Sequence, residues 1–480
     1  MQKSIHNLDN KKDCPPKFCE AKLGQAWIVS VDMGYGHQRT AYPLKNLAFE
    51  GKIINANSYQ GIPEKDRKIW ESQRKSYEFI SSFKRVPLIG EFSFAVFNEF
   101  QKIHSFYPKR DLSRPSIQLK YTHSLIKKGW GKHLIEKLKD RSHWPDKNPP
   151  PMINTFFIPA FMAEFFNYPG EIFCVVCDAD ISRAWAPLNP LASKIKYFAP
   201  TPRVVERLKL YGVKQNNIFL TGYPLPQEII GTDELEVLKH DLRYRLLNLD
   251  SRRKYFRQYK ALIREYLGDF PEKSNLPRVK TKFLARGHPL TLMFTVGGAG
   301  AQKEIGSRIL KSLAKKIKVG EVRLILVAGI REKVKDYFAK NIKKLGLEDY
   351  LGASIDRAHN ELGALIEILF AKDMESYFQN FNQTLRTTDI LWTKPSELSF
   401  YTALGLPIII APPIGYQENF NQEWLLKLGS GLVQKNPDYT GEWLFDWLDS
   451  GLLAEAAMQG FVEGEKLGTL NIKKILNPKS

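Results

Sequence analysis

Short apolar runs alternate with helix-like stretches along most of this chain. Between Ala26 and about Pro226 the runs are AWIVSVD, KIINA, MINTFF, EIFCVVCD, KIKYFA and NIFLTG. A second series begins at Leu292 and reads LMFTVGG, VRLILVAG, DILWT, LPIIIAP and GLVQ. Strands that are buried on both faces read as continuous apolar runs, so the pattern favours parallel sheets covered by helices. We therefore predict an α/β fold with two Rossmann-like domains.

The chain is long for one core, and its 480 residues divide into five segments. We expect a disordered tail at 1–25, an N-terminal domain at 26–226, a basic helical linker or insertion at 227–290, a C-terminal domain at 291–445, and C-terminal helices at 446–480 that pack back on the N-terminal domain. For residues 231–290 we favour solvated helices, with a surface for an anionic partner as the alternative.

The net charge of the chain indicates which kinds of partner it could bind. Lys and Arg number 71 against 51 Asp and Glu, a formal net charge of +20. This excess suggests a partner that carries phosphates, whether a nucleotide, a nucleic acid or an anionic membrane, although a basic cytosolic protein would show it too. Zinc-finger spacing, RNP-like aromatic motifs and basic heptads are missing from the sequence, so we expect no nucleic-acid partner.

Two features bear on the location of the protein. No apolar run approaches the ~18 residues of a spanning helix, so we expect a cytoplasmic protein, either soluble or peripheral on the inner face of the membrane. Within residues 83–110, aromatic and basic residues alternate as in helices that lie in a membrane interface. Such stripes are more often core, and both interpretations stay open.

The cysteines do not indicate a metal site. Cys174 and Cys177 form a CxxC pair within FCVVCD, which is typical of a buried strand. Residues three apart on a strand point to opposite faces, which is poor geometry for a shared metal. Asp178 and Asp180 follow the same strand in the first domain, and we assign no metal to them either.

A glycine-rich turn follows the first strand of each domain. In DMGYGHQRT, Gly34 and Gly36 permit a sharp turn and close approach of a ligand, and His37 comes at the start of a helix. In FTVGGAGAQKE, a second turn leads into another helix and contains Gly297, Gly298 and Gly300. Because ligands of open α/β sheets bind at the carboxyl ends of the strands, the two turns predict a cleft with an acceptor on one side and a phosphorylated donor on the other.

Two further junctions carry polar side chains. After DILW, Thr393 and Ser396 offer hydroxyls and Lys394 offers a cation at a helix start, a combination that suits a diphosphate. A role as helix N-cap explains Ser396 equally well. After PIIIAP come Gly415, Gln417, Glu418 and Asn421, whose amides and carboxylate suit sugar hydroxyls; surface capping is the alternative.

In this order the motifs resemble the two-domain GT-B glycosyltransferases, in particular glycosyltransferase family 28, over most of residues 26–440. That family includes monogalactosyldiacylglycerol synthase, bacterial diacylglycerol glucosyltransferases and the GlcNAc transferase that makes lipid II. GYGHQRTAYPL is similar to its GGH loop, VVCDADISRAW to its TD-to-Trp segment and LTGYPLP to its GxPV strand end. FTVGGAGAQ is similar to its GGSxGA turn, VAGIREK to its base-side loop and GYQENFN to its QExxN motif.

The resemblance implies an inverting glycosyltransferase that needs neither metal nor cofactor and uses a nucleotide-sugar, with a UDP-sugar as the leading expectation. His37 would be the catalytic or acceptor-orienting histidine, beside Gly34 and Gly36, with Asp178 on the acceptor side; either His37 or Asp178 would take the acceptor proton. The donor would be held by residues of the second domain: Gly297, Gly298 and Gly300 at its phosphates, Gly329 and Ile330 near its base, and Gln417, Glu418 and Asn421 at its sugar and phosphate. To these the residue pattern after DILW adds Lys394 and Ser396 at the diphosphate.

One departure from the family concerns the ribose. The family reads GGLTxxE before its AxGLP, and its Glu grips the ribose. Counting back from Pro407, that Glu falls on Phe400 and the Gly-Gly on Lys394 and Pro395. Glu397, about one helical turn earlier, is the candidate substitute.

The acceptor and two alternatives stay open at the level of sequence. The family's lipid acceptors, the net charge and residues 83–110 all fit a lipid at a membrane surface, and none of them identifies the lipid. A sugar-nucleotide epimerase of the same architecture is the first alternative, for which Glu397 and Glu418 would supply carboxylates. A non-catalytic GT-B protein that binds anionic lipid or nucleic acid is the second, supported by Phe400.

Overall fold

The computed structural model describes residues 26–83, 103–140, 144, 148–268, 288–297, 300–352 and 364–477, with the side chains of residues 76–83 left aside. Two six-stranded sheets organise these residues, and every strand pairs parallel to its neighbours.

The first sheet has the order β2-β1-β3-β4-β5-β6. Its strands are β1 (Ala26–Ser30), β2 (Ala48–Asn55), β3 (Met152–Asn154), β4 (Ile172–Val175), β5 (Lys196–Ala199) and β6 (Ile218–Leu220). The helices of this unit are α1 (Tyr35–Ala41), α2 (Glu64–Phe83), α3 (Ile117–Lys127), α4 (Lys132–Lys139), α5 (Phe157–Phe165) and α6 (Pro202–Leu210). Since β1 lies between β2 and β3, the chain order reverses beside β1, and this is where an open α/β sheet binds its ligand.

The second sheet has the order β12-β11-β10-β7-β8-β9. Its strands are β7 (Leu290–Thr295), β8 (Val322–Gly329), β9 (Ile366–Phe370), β10 (Ile390–Thr393), β11 (Ile408–Ile410) and β12 (Gly431–Val433). Its helices are α11 (Lys303–Lys318), α12 (Glu332–Lys344), α13 (Met374–Leu385) and α14 (Tyr416–Leu428), with a 3₁₀ helix at Glu397–Leu404. Here the order reverses between β7 and β10, directly beside the second glycine turn.

This architecture is the GT-B arrangement that the sequence predicts, and each apolar run quoted above falls on a strand. The run at 389–393 leads into a 3₁₀ helix. Strand β9 was missed because Glu367 interrupts its apolar pattern; in the structure that carboxylate accepts a hydrogen bond from Arg323 at 2.6 Å.

The segment between the two sheets is helical and its last two helices are largely exposed, as predicted, but one longer helix is buried. It forms α7 (Gln227–Ile230), α8 (Glu236–Leu249), α9 (Lys254–Gln258) and α10 (Lys260–Leu267). The guanidinium of Arg245, only 4% exposed, donates to the backbone oxygens of Thr388 at 2.8 Å and Leu404 at 2.6 Å. Leu242 packs against Gly405. Helix α8 is therefore packed against the second unit, because the Arg245 guanidinium is buried and bonded to that unit's backbone.

The last helices are α15 (Thr440–Ser450), α16 (Leu452–Glu463) and α17 (Gly468–Leu476). Helix α17 returns to the first unit, where the Thr469 hydroxyl donates to the Leu225 carbonyl at 2.6 Å and the Asn471 amide to the Thr221 carbonyl at 2.9 Å. The chain thus crosses between the two units twice, before β7 and again before α17, and both connections constrain how the units lie relative to each other.

Of the aromatic and basic stretch at 83–110, residues 84–102 lie outside the described residues, as does the tail at 1–25. Ile103 and Phe106 are buried, and the Arg203 guanidinium lies 3.8 Å from the centre of the Phe106 ring. These two side chains are core, whereas Tyr107 beside them is 69% exposed. No helix of the described residues has the length and apolar character to cross a bilayer.

Candidate active site

A cleft of about 460 Å³ lies where the reversal points of the two sheets face one another. The first unit contributes the turn after β1 and the end of β4, and the second contributes the ends of β7 and β10 and the start of α14. Both glycine turns that the sequence singles out therefore open into one cavity, as expected of two facing Rossmann-like domains.

The turn after β1 needs its glycines for different reasons. Gly34 has φ +104°, a conformation that residues with a Cβ rarely adopt. At Gly36 an added Cβ would lie 3.2 Å from Oε2 of Glu397, a residue of the other unit. The glycines therefore shape the turn and let α1 approach the second unit closely.

His37 lies on α1 at the edge of the cleft and is partly exposed. Its Nδ1 lies 2.8 Å from the carbonyl oxygen of Thr155, directly after β3, and an oxygen that only accepts requires the proton on Nδ1. The lone pair is then on Nε2. Burial lowers the pKa of His37 to about 4, so the imidazole is neutral at physiological pH and can accept a proton.

Asp178 follows Cys177 in the chain, and the Sγ of Cys177 lies 3.6 Å from Nδ1 of His37. Burial raises the pKa of Asp178 to about 6, with Glu397 and Glu418 adding to the rise and Asn421 and Lys394 opposing it. Burial also raises the pKa of the Cys177 thiol well above its usual range, which keeps it protonated. Asp178 is thus a carboxylate that titrates close to neutral pH, as a general base should.

The second CxxC residue, Cys174, is buried in β4, as the sequence predicts. Asp180 is turned away from the cleft and forms an ion pair with Arg207 at 2.8 Å and Arg203 at 3.0 Å. In the part of the chain that the structure describes, no three His, Cys, Asp or Glu side chains are grouped in a way that could hold a metal ion.

On the opposite wall, Lys394 lies against the glycine turn after β7. An added Cβ at Gly297 would lie 2.8 Å from Cε of Lys394, so a larger residue there would displace the lysine side chain. The ammonium pairs with the buried carboxylate of Glu418, which also accepts from the Ile414 N–H at 2.7 Å. A cation therefore lines the same cleft as Lys303 at the start of α11, where helix N–H groups favour an anion.

Glu397 also lines the cleft, but it is held by the first unit. Its Oε1 accepts from Nε of Arg39 on α1 at 3.2 Å, and Nη2 of Arg39 donates to the Tyr377 hydroxyl at 2.9 Å. Arg39 is 2% exposed and lies 4.2 Å from the centre of the Phe381 ring. The candidate substitute for the family's ribose-binding Glu is thus part of a buried ion pair between the two units.

Phe400, at the position of the family's Glu, is turned away from the cleft. Its ring stacks on Tyr223 of the first unit, with centroids 4.8 Å apart and planes at 9°, and contacts Trp424. Only 3% of Phe400 is exposed. An aromatic contact between the units therefore replaces a ligand-binding carboxylate at this position.

Asn421 bridges the two units as well. Its Nδ2 donates to Asp178 Oδ1 at 3.0 Å and to the Pro395 carbonyl at 3.1 Å, and its Oδ1 accepts from the Ala179 N–H at 2.7 Å. The side chain is fully buried. The third residue of the predicted sugar-binding set thus holds the first unit's carboxylate.

Tyr35 reaches the base-side loop predicted at Gly329 and Ile330. The Ile330 N–H donates to the Tyr35 hydroxyl at 3.2 Å, and Gly329 faces the same hydroxyl. Sequence reasoning did not single out Tyr35, Arg39, Lys303, Arg331 or Tyr377, which also line the cleft. For four of them a signal existed, because Tyr35 and Arg39 lie within the quoted GYGHQR loop, Lys303 within FTVGGAGAQKE and Arg331 within VAGIREK. Tyr377 lies on α13, in a stretch with no quoted motif.

The structure gathers most of the predicted site residues in the cleft. Those that line it are Gly34, Gly36, His37, Asp178, Gly297, Gly300, Lys394, Ser396, Glu397, Gln417 and Glu418. Gly329, Ile330 and Asn421 lie behind its walls in the contacts given above. Gly298 lies outside the described residues. Ser396 comes directly before the 3₁₀ helix, and its side chain makes no capping hydrogen bond there.

Sequence comparisons agree with the family resemblance. A family described as a domain of unknown function, DUF6938, matches residues 274–435. The processive diacylglycerol beta-glucosyltransferase of Bacillus pumilus is 22% identical over 417 residues, which cover 85% of this chain and 82% of that protein. The relative is a glycosyltransferase of the class that the motif order predicts, and the resemblance to family 28 is confirmed.

Solved structures with a similar fold include three from bacteria. S. aureus MnaA, solved with UDP, is 14% identical with a TM-score of 0.41 and covers 74% of this chain and 82% of its own. Acinetobacter baumannii MurG is 14% identical with a TM-score of 0.39, covering 75% and 78%. The glycosyltransferase SnogD of Streptomyces nogalater is 12% identical with a TM-score of 0.41, covering 95% and 99%.

Proposed function

We propose that the protein is an inverting, metal-independent glycosyltransferase that moves a sugar from a nucleotide-sugar, with UDP as the nucleotide, to a hydroxyl of a lipid at a membrane surface. The observation that carries the proposal is the single cleft at both reversal points. It has two side chains that can accept a proton, His37 and Asp178, on one wall and a cation beside a glycine turn, Lys394 and Gly297, on the other. The curated relative, named for glucosyl transfer to diacylglycerol, supports the lipid acceptor.

The acceptor hydroxyl attacks the anomeric carbon and gives its proton to Asp178. A carboxylate with a pKa of about 6 is ionised at pH 7 and is a stronger base than an imidazole with a pKa of about 4. His37 is the second candidate for this role, because its Nε2 keeps a lone pair and Glu397 stabilises an imidazolium there. An acid limb of kcat/KM near pH 6 would assign Asp178, and one near pH 4 would assign His37.

The bond to the leaving nucleoside diphosphate breaks as the new bond forms, and negative charge develops on its terminal phosphate. Lys394 and the N–H groups at the start of α11 (Lys303–Lys318) lie where they can balance that charge. Fixed dipoles and one ammonium supply this stabilisation without reorganising, which is why the proposal needs no metal and no cofactor.

An epimerase acting on a nucleotide-sugar is the second candidate, favoured by the three carboxylates of Asp178, Glu397 and Glu418 around the cleft. Two of them already have cationic partners, Arg39 and Lys394, and this reduces their use as free acids and bases. The two activities differ in product: transfer gives a glycosylated lipid and UDP, whereas epimerisation gives a new UDP-sugar or free UDP without an acceptor.

The test begins with the donor. Purified protein is titrated with UDP, GDP and ADP in a calorimeter and by thermal shift, where a ligand at a hundred times its Kd adds about 2.7 kcal/mol of stability. Radiolabelled UDP-glucose, UDP-galactose and UDP-N-acetylglucosamine are then incubated with vesicles of phosphatidylglycerol and dioleoylglycerol. Labelled lipid supports the proposal. Binding without lipid product, but with isomerised sugar, selects the epimerase, and no nucleotide binding contradicts both and favours a non-catalytic protein.

A further inference from the structure

Asn421 lies on α14 of the second unit, next to Glu418 in the motif that resembles the family's sugar-binding segment. In the structure it contacts the first unit instead. The amide Nδ2 has two hydrogens, and they go to Asp178 Oδ1 at 3.0 Å and to the Pro395 carbonyl at 3.1 Å. The amide Oδ1 accepts from the Ala179 N–H at 2.7 Å.

This arrangement leaves no donor for a sugar. Asn421 has no exposed surface and does not line the cleft, whereas Asp178 does. Asn421 could donate to a sugar hydroxyl only after one of the two Nδ2 hydrogen bonds is broken, and an unsatisfied buried group is costly.

We propose that Asn421 is a positioning residue that orients the carboxylate of Asp178 across the cleft, and that it does not bind the donor sugar. The inference rests on the proposed function, since Asp178 is the base only if transfer takes place. By holding both Asp178 and the next peptide N–H, the amide fixes the carboxylate in direction and in distance. The base is then correctly placed only while the two units are in contact.

The same hydrogen bond favours the ionised carboxylate. Asp178 is surrounded by Glu397 on the 3₁₀ helix, Glu418 on α14 and Lys394 on the loop after β10, with Cys177 adjacent in the chain. Burial and the two carboxylates raise its pKa, while Asn421 and Lys394 lower it. Removing the amide therefore leaves Asp178 harder to ionise, and the acid limb of the pH profile should move to higher pH.

The experiment compares Asn421→Ala with the wild type, with Asp178→Ala and with the double variant. We measure transfer from UDP-glucose to dioleoylglycerol vesicles between pH 5 and 9 and, separately, the Kd of UDP. If Asn421 acts through Asp178, the single change lowers kcat about 10- to 100-fold, as expected for a lost hydrogen bond to a charged group, and leaves the Kd within about 2-fold. In the Asp178→Ala background the same change has no further effect on kcat.

Asn382→Ala is the matched control. This residue is also a buried asparagine of the second unit, and its Nδ2 donates to the Glu228 carboxylate at 2.9 Å, away from the cleft. Its replacement should leave kcat and the acid limb unchanged. If Asn421→Ala does not fold, Asn421→Asp replaces it; a carboxylate facing Asp178 should move the acid limb further up.

The results distinguish failure of the proposed transferase function from failure of the positioning role of Asn421. A wild type without turnover and without UDP affinity overturns the proposed function. If the wild type turns over but the Asn421 variants only raise the KM for UDP-glucose and leave the acid limb in place, the positioning role is overturned and Asn421 is a donor ligand. Additive losses in the double variant would overturn it as well.

Discussion

The buried ion pair between Arg39 and Glu397 gives the sharpest prediction for stability. Arg39 has 2% of its side chain exposed and Glu397 10%, and they belong to different units of the structure. Replacing Arg39 by Met keeps most of the apolar packing around Phe381 but leaves the carboxylate buried without its cation. Breaking a buried pair from one side costs about 3–5 kcal/mol. Because domains are stable by only about 5–15 kcal/mol, this is a large fraction of the total.

The assay is urea unfolding followed by tryptophan fluorescence, with Arg308→Met as the matched control. Arg308 makes a shorter, bidentate pair with Asp438, with both contacts at 2.8 Å, but both side chains are about half exposed, so its loss should cost less than about 1 kcal/mol. Arg39→Met should therefore unfold at a clearly lower urea concentration than Arg308→Met. If the two variants unfold at the same concentration, Arg39 does not stabilise the contact between the units and the reasoning fails.

Three further predictions concern the cleft. His37→Ala should lower kcat while the calorimetric Kd of UDP stays unchanged, and a loss of about 10²- to 10⁴-fold would make His37 rather than Asp178 the base. Equal losses in kcat and in UDP affinity would make His37 structural. Lys394→Ala should raise the Kd of UDP, and an unaltered Kd would remove Lys394 from the donor site. Asp178→Asn should raise the free energy of unfolding by about 3 kcal/mol at pH 7.5, because the folded pKa of about 6 exceeds the ordinary value of 3.8 and ionisation above pH 6 opposes folding. Melting curves should show that this gain disappears near pH 4. A gain that persists at pH 4 would contradict the assigned pKa.

Much of the fold could be predicted from sequence because its signals are local. Continuous apolar runs such as VRLILVAG identify buried parallel strands without knowledge of their neighbours. The turns at Gly34 and Gly297 follow such runs directly, so their place at the carboxyl ends of strands follows as well. Strand β9 shows the limit, because Glu367 breaks the pattern and is explained only by Arg323 on the neighbouring strand.

The linker illustrates a second limit. Residues 236–249 are rich in charge, and charge predicts solvation, yet Arg245 is buried because three of its donors meet backbone carbonyls that end a helix and a turn of the second unit. Those carbonyls are about 140–160 positions away in the chain. Composition gives the number of charges in the segment but not the distant backbone carbonyls that accept hydrogen bonds from them.

The sequence by itself determined the two-sheet architecture, the glycine turns, and the chemical types at their ends: a histidine and a carboxylate on one side, a lysine on the other. Tertiary structure alone decided which of these meet. Arg39 finds Glu397 across 358 positions, Asn421 finds Asp178 across 243, and Tyr35 finds the Ile330 N–H across 295. Each pair joins the two units, and its formation depends on how two separately folded sheets face one another. Periodicity specifies which face of a strand or helix is buried, but not which side chain of another domain will lie against it.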